Sequence, residues 1–175
     1  MRGLMGLALA ALLLGGAARA EVTDKSAAGF EVTEKATIAA PVAQVYAALL
    51  KPGAWWSKDH TWGHDAKALS MDLAAGCFCE KLPHGFVRHL TIIYADGGSE
   101  LRLSGGLGPM QFTGASGALA YVLKDNAGQT ELTATYDVGG YAKGGLADRF
   151  AAPLDHVLGE QVARLKKYIE TGKPD

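Results

Sequence analysis

The stretch Leu146–Ile169, LADRFAAPLDHVLGEQVARLKKYI, decides how the rest of the chain has to be arranged. Leu146, Phe150, Leu154, Val157, Leu158, Val162, Leu165 and Ile169 recur at steps of three and four, so they fall along one side of a long α-helix. Pro153 lies inside this run. It lacks the N–H that a helix interior uses, so it marks a kink, or a fresh start after a short first turn. Lys166 and Lys167 stand near the far end, where the helix dipole favours positive charge, and Gly172 and Pro174 close the element. A helix this long with so continuous an apolar side needs a broad apolar surface to pack on.

The preceding segments supply that surface. Over Phe30–Ala40, Phe30, Val32, Ala36 and Ile38 alternate with Glu31, Thr33, Lys35 and Thr37, which is a half-buried strand. Glu34 interrupts the apolar side and is expected near a strand end. Ala40-Pro41 stops the strand, and a proline in a first helical turn costs little because its N–H would be unpaired anyway. Val42–Leu50 then reads as a short helix with Val42, Val45, Tyr46 and Leu49 on one side, ended by Lys51-Pro52-Gly53. Further strands are expected at Leu69–Leu73, Cys77–Leu82, Phe86–Ala95, Glu100–Ser104, Ala118–Lys124 and Glu131–Val138. Asp96-Gly97-Gly98 and Asp125-Asn126-Ala127-Gly128 carry hairpin-turn residues, and short turns make antiparallel neighbours. The expected fold is α+β, a helix-grip: a curved antiparallel sheet of six to seven strands wrapped around the long C-terminal helix. A cavity is expected between sheet, helix and the Trp-rich segment 55–62. This domain spans 30–171, with 21–29 as an N-terminal extension and 172–175 as a tail.

Residues 1–20 read as a signal peptide. Met1-Arg2 is a basic start, Leu4–Leu14 is apolar, and Ala18-Arg19-Ala20 has the small-x-small pattern of a cleavage site after Ala20. No Cys stands at the site to carry a lipid, and the apolar run is too short for a comfortable bilayer span. The expectation is a periplasmic or secreted protein with no membrane span after cleavage, in an oxidising compartment without ATP. The chain has 17 basic and 18 acidic residues, and losing Arg2 and Arg19 takes the net charge from −1 to −3. No basic face follows, so nucleic acid is not expected as a partner.

The stretch FEVTEKATIAAPVAQVYAALLKPGAWW (30–56) resembles the opening of START-like domains, the SRPBCC superfamily. In that pattern a strand leads into A-P-V-x-x-V-Y-x-A-L and then a Trp near a turn, here Ala40, Pro41, Val42, Val45, Tyr46, Ala48, Leu49 and Trp55-Trp56. Gly76-Cys77-Phe78-Cys79-Glu80 resembles the family's G-x-F-x-E strand. The resemblance covers almost all of the chain beyond residue 20 and implies the helix-grip fold. Its motifs are packing motifs, and the superfamily includes ligand binders, polyketide cyclases and activators of an ATP-driven chaperone. An exported domain has no ATP-dependent chaperone to serve, so that partner is not expected.

Several residues are candidates for chemistry. Cys77 and Cys79 face the same way on a regular strand, ~6–7 Å apart at Cα, which is at the limit for a disulfide. Four readings stay open for the pair: small packing residues, a bulge-assisted disulfide favoured by export, thiolate ligands to a metal, or redox chemistry. With His60 and His64 the cysteines would form a tetrahedral site of two nitrogens and two sulfurs, although the spacing matches no standard zinc module. No cofactor is expected. His89 lies in a β-run with Val87, Thr91 and Ile93 and reads either as a hydrogen-bonded core residue or as a polar group aimed into the cavity. His84, between Pro83 and Gly85, reads as a turn residue, and His156 as an edge residue of the long helix. Asp59, Asp65, Asp72, Glu80 and Glu100 read as solvated charges.

The aromatic residues point to binding. Trp55 and Trp56 cannot both point inward from a regular element, so one of them is expected at a cavity mouth or on a surface patch. The Gly-rich loop Leu103–Met110 lacks the following helix and Lys of a phosphate loop and reads as a gate over the pocket. The expected function is binding of a small hydrophobic or amphipathic molecule by Trp55, Trp56, Trp62, His89, Met110, Tyr136, Tyr141 and Phe150. The alternatives are a cyclase- or isomerase-type enzyme with His89 as acid or base and Tyr136 or Tyr141 orienting a carbonyl, or a metal-site protein built on Cys77, Cys79, His60 and His64.

Overall fold

The structure, a computed structural model, describes residues 19–175. The expected signal peptide therefore lies outside the described residues except for Arg19 and Ala20, which begin the first strand. Eight antiparallel strands form a single sheet: β1 Arg19–Lys25, β2 Gly29–Ile38, β3 Leu69–Asp72, β4 Cys77–Leu82, β5 Gly85–Asp96, β6 Glu100–Gly105, β7 Gly114–Asn126 and β8 Gln129–Tyr141. Their spatial order is β1-β2-β8-β7-β6-β5-β4-β3. Two helices complete the domain, α1 Val42–Leu49 and α2 Leu146–Thr171. The α+β helix-grip expected from the sequence is the fold observed. One strand more than the expected six to seven is present, because part of the supposed N-terminal extension pairs with β2 as an edge strand.

The core occupies the concave face. On β2, Phe30, Val32, Ala36 and Ile38 point inward, on β8 Leu132, Ala134, Tyr136 and Val138, and on α2 Leu154, Leu158, Val162 and Leu165. Burial of four large aliphatic side chains on α2 contributes about 1.5–3 kcal/mol each, so packing rather than helix propensity holds this element in place. α2 is flanked by Gly145 and Gly172, and the left-handed conformation of Gly172 lets its N–H reach Tyr168 O at 2.8 Å. Pro153 sits within the helix, where it has no N–H to give Arg149 O.

Two interior features depart from simple alternation. Glu34 is not near a strand end; it sits in the middle of β2, opposite Ala134, and is fully buried. β5 carries two β-bulges. Phe78 faces Leu90 while Cys79 faces Arg88, and Ile92 faces Leu103 while Tyr94 faces Arg102, so His89 and Ile93 are the extra residues. Each bulge bends the strand and strengthens its twist, which helps the sheet curl around α2.

At the far end of α2 the helix is tied to the strand it covers. Lys166 Nζ donates to Thr37 O, and Glu170 Oε1 accepts from Ala39 N at 2.9 Å. The domain thus has two ends. One holds the start of α2, the end of β8, the turn between β4 and β5 and the segment between β6 and β7. The other holds α1, the hairpin turns after Asp96 and Asp125, and the end of α2.

Candidate functional site

At the first of these ends a cavity of about 400 Å3 opens between α2, the irregular segment 56–62, β5 and the turn at 107–110. Trp56, Leu107, Met110, Phe150, Leu154 and Val157 give it apolar walls. Asp59, His60, Thr61, His89 and Arg149 contribute polar groups, and Trp62 stands at the rim, 41% exposed.

The bulge in β5 explains the position of His89. The extra residue lets two successive side chains, His89 and Leu90, both turn inward, and both are buried. His89 Nε2 lies 2.9 Å from Glu80 Oε2. Burial pushes the His89 imidazole below its ordinary value, more strongly than its hydrogen bond to Glu80 and that carboxylate's charge pull it up. The ring is therefore neutral at pH 7, and its face packs on Phe78, with centroids 5.1 Å apart.

Glu80 organises the cavity wall and is not the solvated charge its residue type suggests. It is fully buried, and besides His89 it accepts hydrogen bonds from Trp62 N at 3.0 Å and Gly63 N at 2.5 Å. The sequence does hold a signal for it. Phe78 and Glu80 are two apart on β4, and a period of two puts both on the inner face.

The 55–63 segment is also clipped to α2. Ser57 N donates to Gln161 Oε1 at 2.8 Å, His60 Nε2 lies 2.8 Å from Glu160 Oε2, and Arg164 Nε donates to Trp55 O at 2.9 Å. Gln161 is almost wholly buried for this purpose. Because the segment is irregular, with short 3-10 turns at Pro52–Ala54 and Lys58–His60, both tryptophans are buried, which a regular element would not allow. Trp55 belongs to the core, where its Nε1 donates to Ala48 O at 2.9 Å, and Trp56 faces the cavity.

Of the residues expected to bind, Trp56, Trp62, His89, Met110 and Phe150 are brought together around the cavity, and Trp55, Tyr136 and Tyr141 are not. Tyr136 is fully buried beneath the Gly-rich loop. Its hydroxyl donates to Gly105 O at 2.6 Å and accepts from Leu107 N at 3.0 Å, which pins that loop at the cavity rim. Burial raises its hydroxyl to about 12, so it stays protonated. Gly117 makes room for the ring: a Cβ there would lie 2.6 Å from Tyr136 Cε2. Tyr141 falls five residues after Tyr136, an odd step on a strand, so it faces outward and is 73% exposed.

Cys77 and Cys79 are joined as a disulfide, with Cα atoms 5.4 Å apart. This is closer than the ~6–7 Å of a regular strand. With both sulfurs in that bond there are no thiolates for the alternative two-nitrogen, two-sulfur site, and His60 is engaged with Glu160. Among the described residues no group of three or more His, Cys, Asp or Glu side chains is placed to hold a metal ion. The disulfide spans Phe78, whose ring packs on Trp56 with centroids 5.3 Å apart. Replacing both cysteines with Ala should lower stability by about 1–2 kcal/mol, the modest figure expected for so short a closed loop. Urea denaturation of the two proteins without reductant checks this, and adding a dithiol should bring wild type toward the variant.

No protein-family model matches the sequence, and no curated protein does. Solved structures do match. CalU16 from Micromonospora echinospora superposes with a TM-score of 0.56 at 12% identity, covering 91% of this chain and 88% of its own. The conserved protein of unknown function EF2215 from Enterococcus faecalis gives 0.54 at 16%, covering 89% and 78%. The solution structure of the Aha1 dimer from Colwellia psychrerythraea gives 0.52 at 16%, covering 82% and 98%. The fold is the START-like helix-grip. In this START-like frame the cavity lies where the concave sheet and the C-terminal helix fail to meet, a place set by the architecture. The residues lining it are this chain's own.

Proposed function

We propose that this chain binds a small hydrophobic or amphipathic molecule in the cavity between its sheet and α2, and that it does so in the periplasm or after secretion. The observation that carries the reading is the cavity itself. Its volume lies within the ~300–1,000 Å3 of small-molecule sites, and its walls are predominantly apolar with a few polar groups at fixed places. Trp56, Met110, Phe150 and Val157 offer dispersion contacts and no charge. His89, held by Glu80, is the buried polar anchor. His60, Asp59 and Arg149 can fix a polar end of the guest. The signal-peptide pattern of residues 1–20 and the Cys77–Cys79 disulfide support an oxidising compartment. No ATP-dependent chaperone partner, nucleic acid or cofactor enters this reading.

One observation favours a second reading, an enzyme of cyclase or isomerase type. The Glu80–His89 pair has the arrangement of a carboxylate orienting an imidazole, and His89 borders the cavity. That reading lacks its expected partner, because the Tyr136 hydroxyl is engaged with Gly105 and Leu107 and Tyr141 faces outward. Binding is therefore the function the geometry supports best.

Native mass spectrometry of protein isolated from its own host tests the proposal. A retained apolar guest is the expected result. Val157→Trp, which fills the cavity from α2, should lower affinity for that guest, or for a fluorescent apolar probe, at least tenfold. A variant that binds as well as wild type would remove the cavity from consideration.

A further inference from the structure

Among the described residues, three buried side chains on the cavity wall carry nitrogen or oxygen: Trp56, Thr61 and His89. Each has already given its proton to the protein. Trp56 Nε1 donates to His60 O at 3.2 Å, and Thr61 Oγ1 donates to Lys58 O at 2.8 Å. An indole has no second polar atom, and a hydroxyl whose proton is engaged keeps only its lone pairs.

For His89 the question is which ring nitrogen holds the proton, and Glu80 answers it. Glu80 Oε1 accepts from Gly63 N and Oε2 accepts from Trp62 N, so both oxygens act as acceptors. The hydrogen in the 2.9 Å contact between Oε2 and His89 Nε2 therefore belongs to the imidazole. A neutral imidazole protonated on Nε2 carries a lone pair on Nδ1. That nitrogen has no hydrogen-bond partner among the described residues, yet it is not sealed in the interior: the sealed side-chain atoms without a partner belong to Glu34, Asp155 and Gln161. Phe78 covers the ring face and Glu80 the Nε2 edge, which leaves the Nδ1 edge to the cavity that His89 borders.

The side chains of the buried wall thus offer acceptors and no free donor. A carbonyl or ether oxygen seated against them would give up its water and gain no bond. A hydroxyl would find an acceptor waiting. We infer that the guest of this cavity is an apolar molecule bearing a hydroxyl group that donates its proton to His89 Nδ1, and that Glu80 is the positioning residue that sets this requirement. The inference rests on the binding function proposed above and narrows it to one class of guest. The apolar body lies along Trp56, Met110 and Leu154, and the hydroxyl is the group buried with it. A ketone, ether or hydrocarbon of the same skeleton leaves Nδ1 unpaired, and a buried acceptor left without its donor is what lets a site reject such an analogue.

Displacement of a bound fluorescent probe, N-phenyl-1-naphthylamine, by 2-naphthol, 2-methoxynaphthalene and naphthalene tests this. The first two share ring and oxygen, and 2-naphthol alone has a proton to give. Wild type should bind 2-naphthol at least tenfold more tightly than 2-methoxynaphthalene. His89→Phe, which keeps an aromatic ring and removes the acceptor, should lose that preference and still bind naphthalene. Because this variant also takes a donor from Glu80, the tautomer is read separately in wild type by nitrogen-15 NMR. Nδ1 should give the signal of an unprotonated imidazole nitrogen, and that signal should move when 2-naphthol binds. Equal affinity for 2-naphthol and 2-methoxynaphthalene, a preference that His89→Phe retains, or a proton on Nδ1 overturns the inference and leaves the binding function standing. If wild type binds neither the probe nor any of the three compounds better than Val157→Trp does, the binding function falls and the inference falls with it.

Discussion

Replacing Glu80 with Ala should destabilise the domain by about 3–5 kcal/mol, a large part of the margin by which a domain of this size is folded. The cost comes from three partners losing their acceptor at once. Trp62 N and Gly63 N would be left without their hydrogen bonds, and His89, buried beside them, would lose the carboxylate it is bonded to. Glu80→Gln separates charge from shape. Each backbone N–H binds a different carboxyl oxygen, so one must face the new amide nitrogen, and a loss of about 1–3 kcal/mol is expected even from this near-isostere. Urea denaturation gives both values. Quenching of tryptophan fluorescence reports the 56–63 wall directly, since Trp56 is buried and Trp62 is half-exposed in the intact protein. A Glu80→Ala protein as stable as wild type, with unchanged quenching, would show that the clips to α2 hold this wall without β4.

Much of this architecture can be read in the amino-acid order, and the reason is periodicity. α2 shows as a repeat of three and four, β4 through β8 as alternation between turn residues, and the helix-grip follows from the need to cover one apolar sheet face with one apolar helix side. β1 escapes notice because its sequence RAEVTDK has a single aliphatic residue, Val22, in its described interior-facing positions; an edge strand needs little burial to pair. The two bulges in β5 escape for a different reason. Strict alternation through Val87, His89, Thr91 and Ile93 predicts one shared face, whereas the extra residues at His89 and Ile93 bury the first and leave the second 59% exposed.

The candidate site is less legible than the fold. Trp56, His89, Met110 and Phe150 stand out by residue type, but what positions them lies far away in the chain. Gln161 holds Ser57 across 104 residues and Glu160 holds His60 across 100, and neither leaves a local pattern. Glu80 had the right period and was outweighed by its charge, because a carboxylate is usually outside. Tyr141 shows the reverse error. An aromatic type suggested a lining role, and counting along β8 from Tyr136 would have placed it on the outer face.

Glu34 leads to the second large effect, and here the sign depends on pH. Its side chain lies under α2 in the middle of β2, fully buried, and neither carboxyl oxygen has a hydrogen-bond partner among the described residues. Burial, and secondarily the Asp155 carboxylate on α2, raise it from 4.5 to about 7. Asp155 is itself raised, first by its own desolvation. Between those two pH values the folded protein holds a proton that the unfolded chain has released. Stability from this group is therefore complete below about pH 4.5 and declines as pH rises through about 7, above which a buried carboxylate is left uncompensated. Glu34→Gln supplies a neutral side chain of the same shape at every pH. It should match wild type at pH 5 and exceed it by about 1–3 kcal/mol at pH 8, the scale set by a shift of this size. His89 works in the opposite direction. Its lowered value means that acidification below its ordinary 6.5 costs stability, so the two groups partly cancel in wild type. Removing Glu34's contribution should therefore leave a variant whose stability rises with pH across the neutral range more steeply than that of wild type. Urea denaturation at pH 5, 6, 7 and 8 resolves the difference. A gain of the same size at every pH would mean that the benefit comes from packing, with no proton held at Glu34.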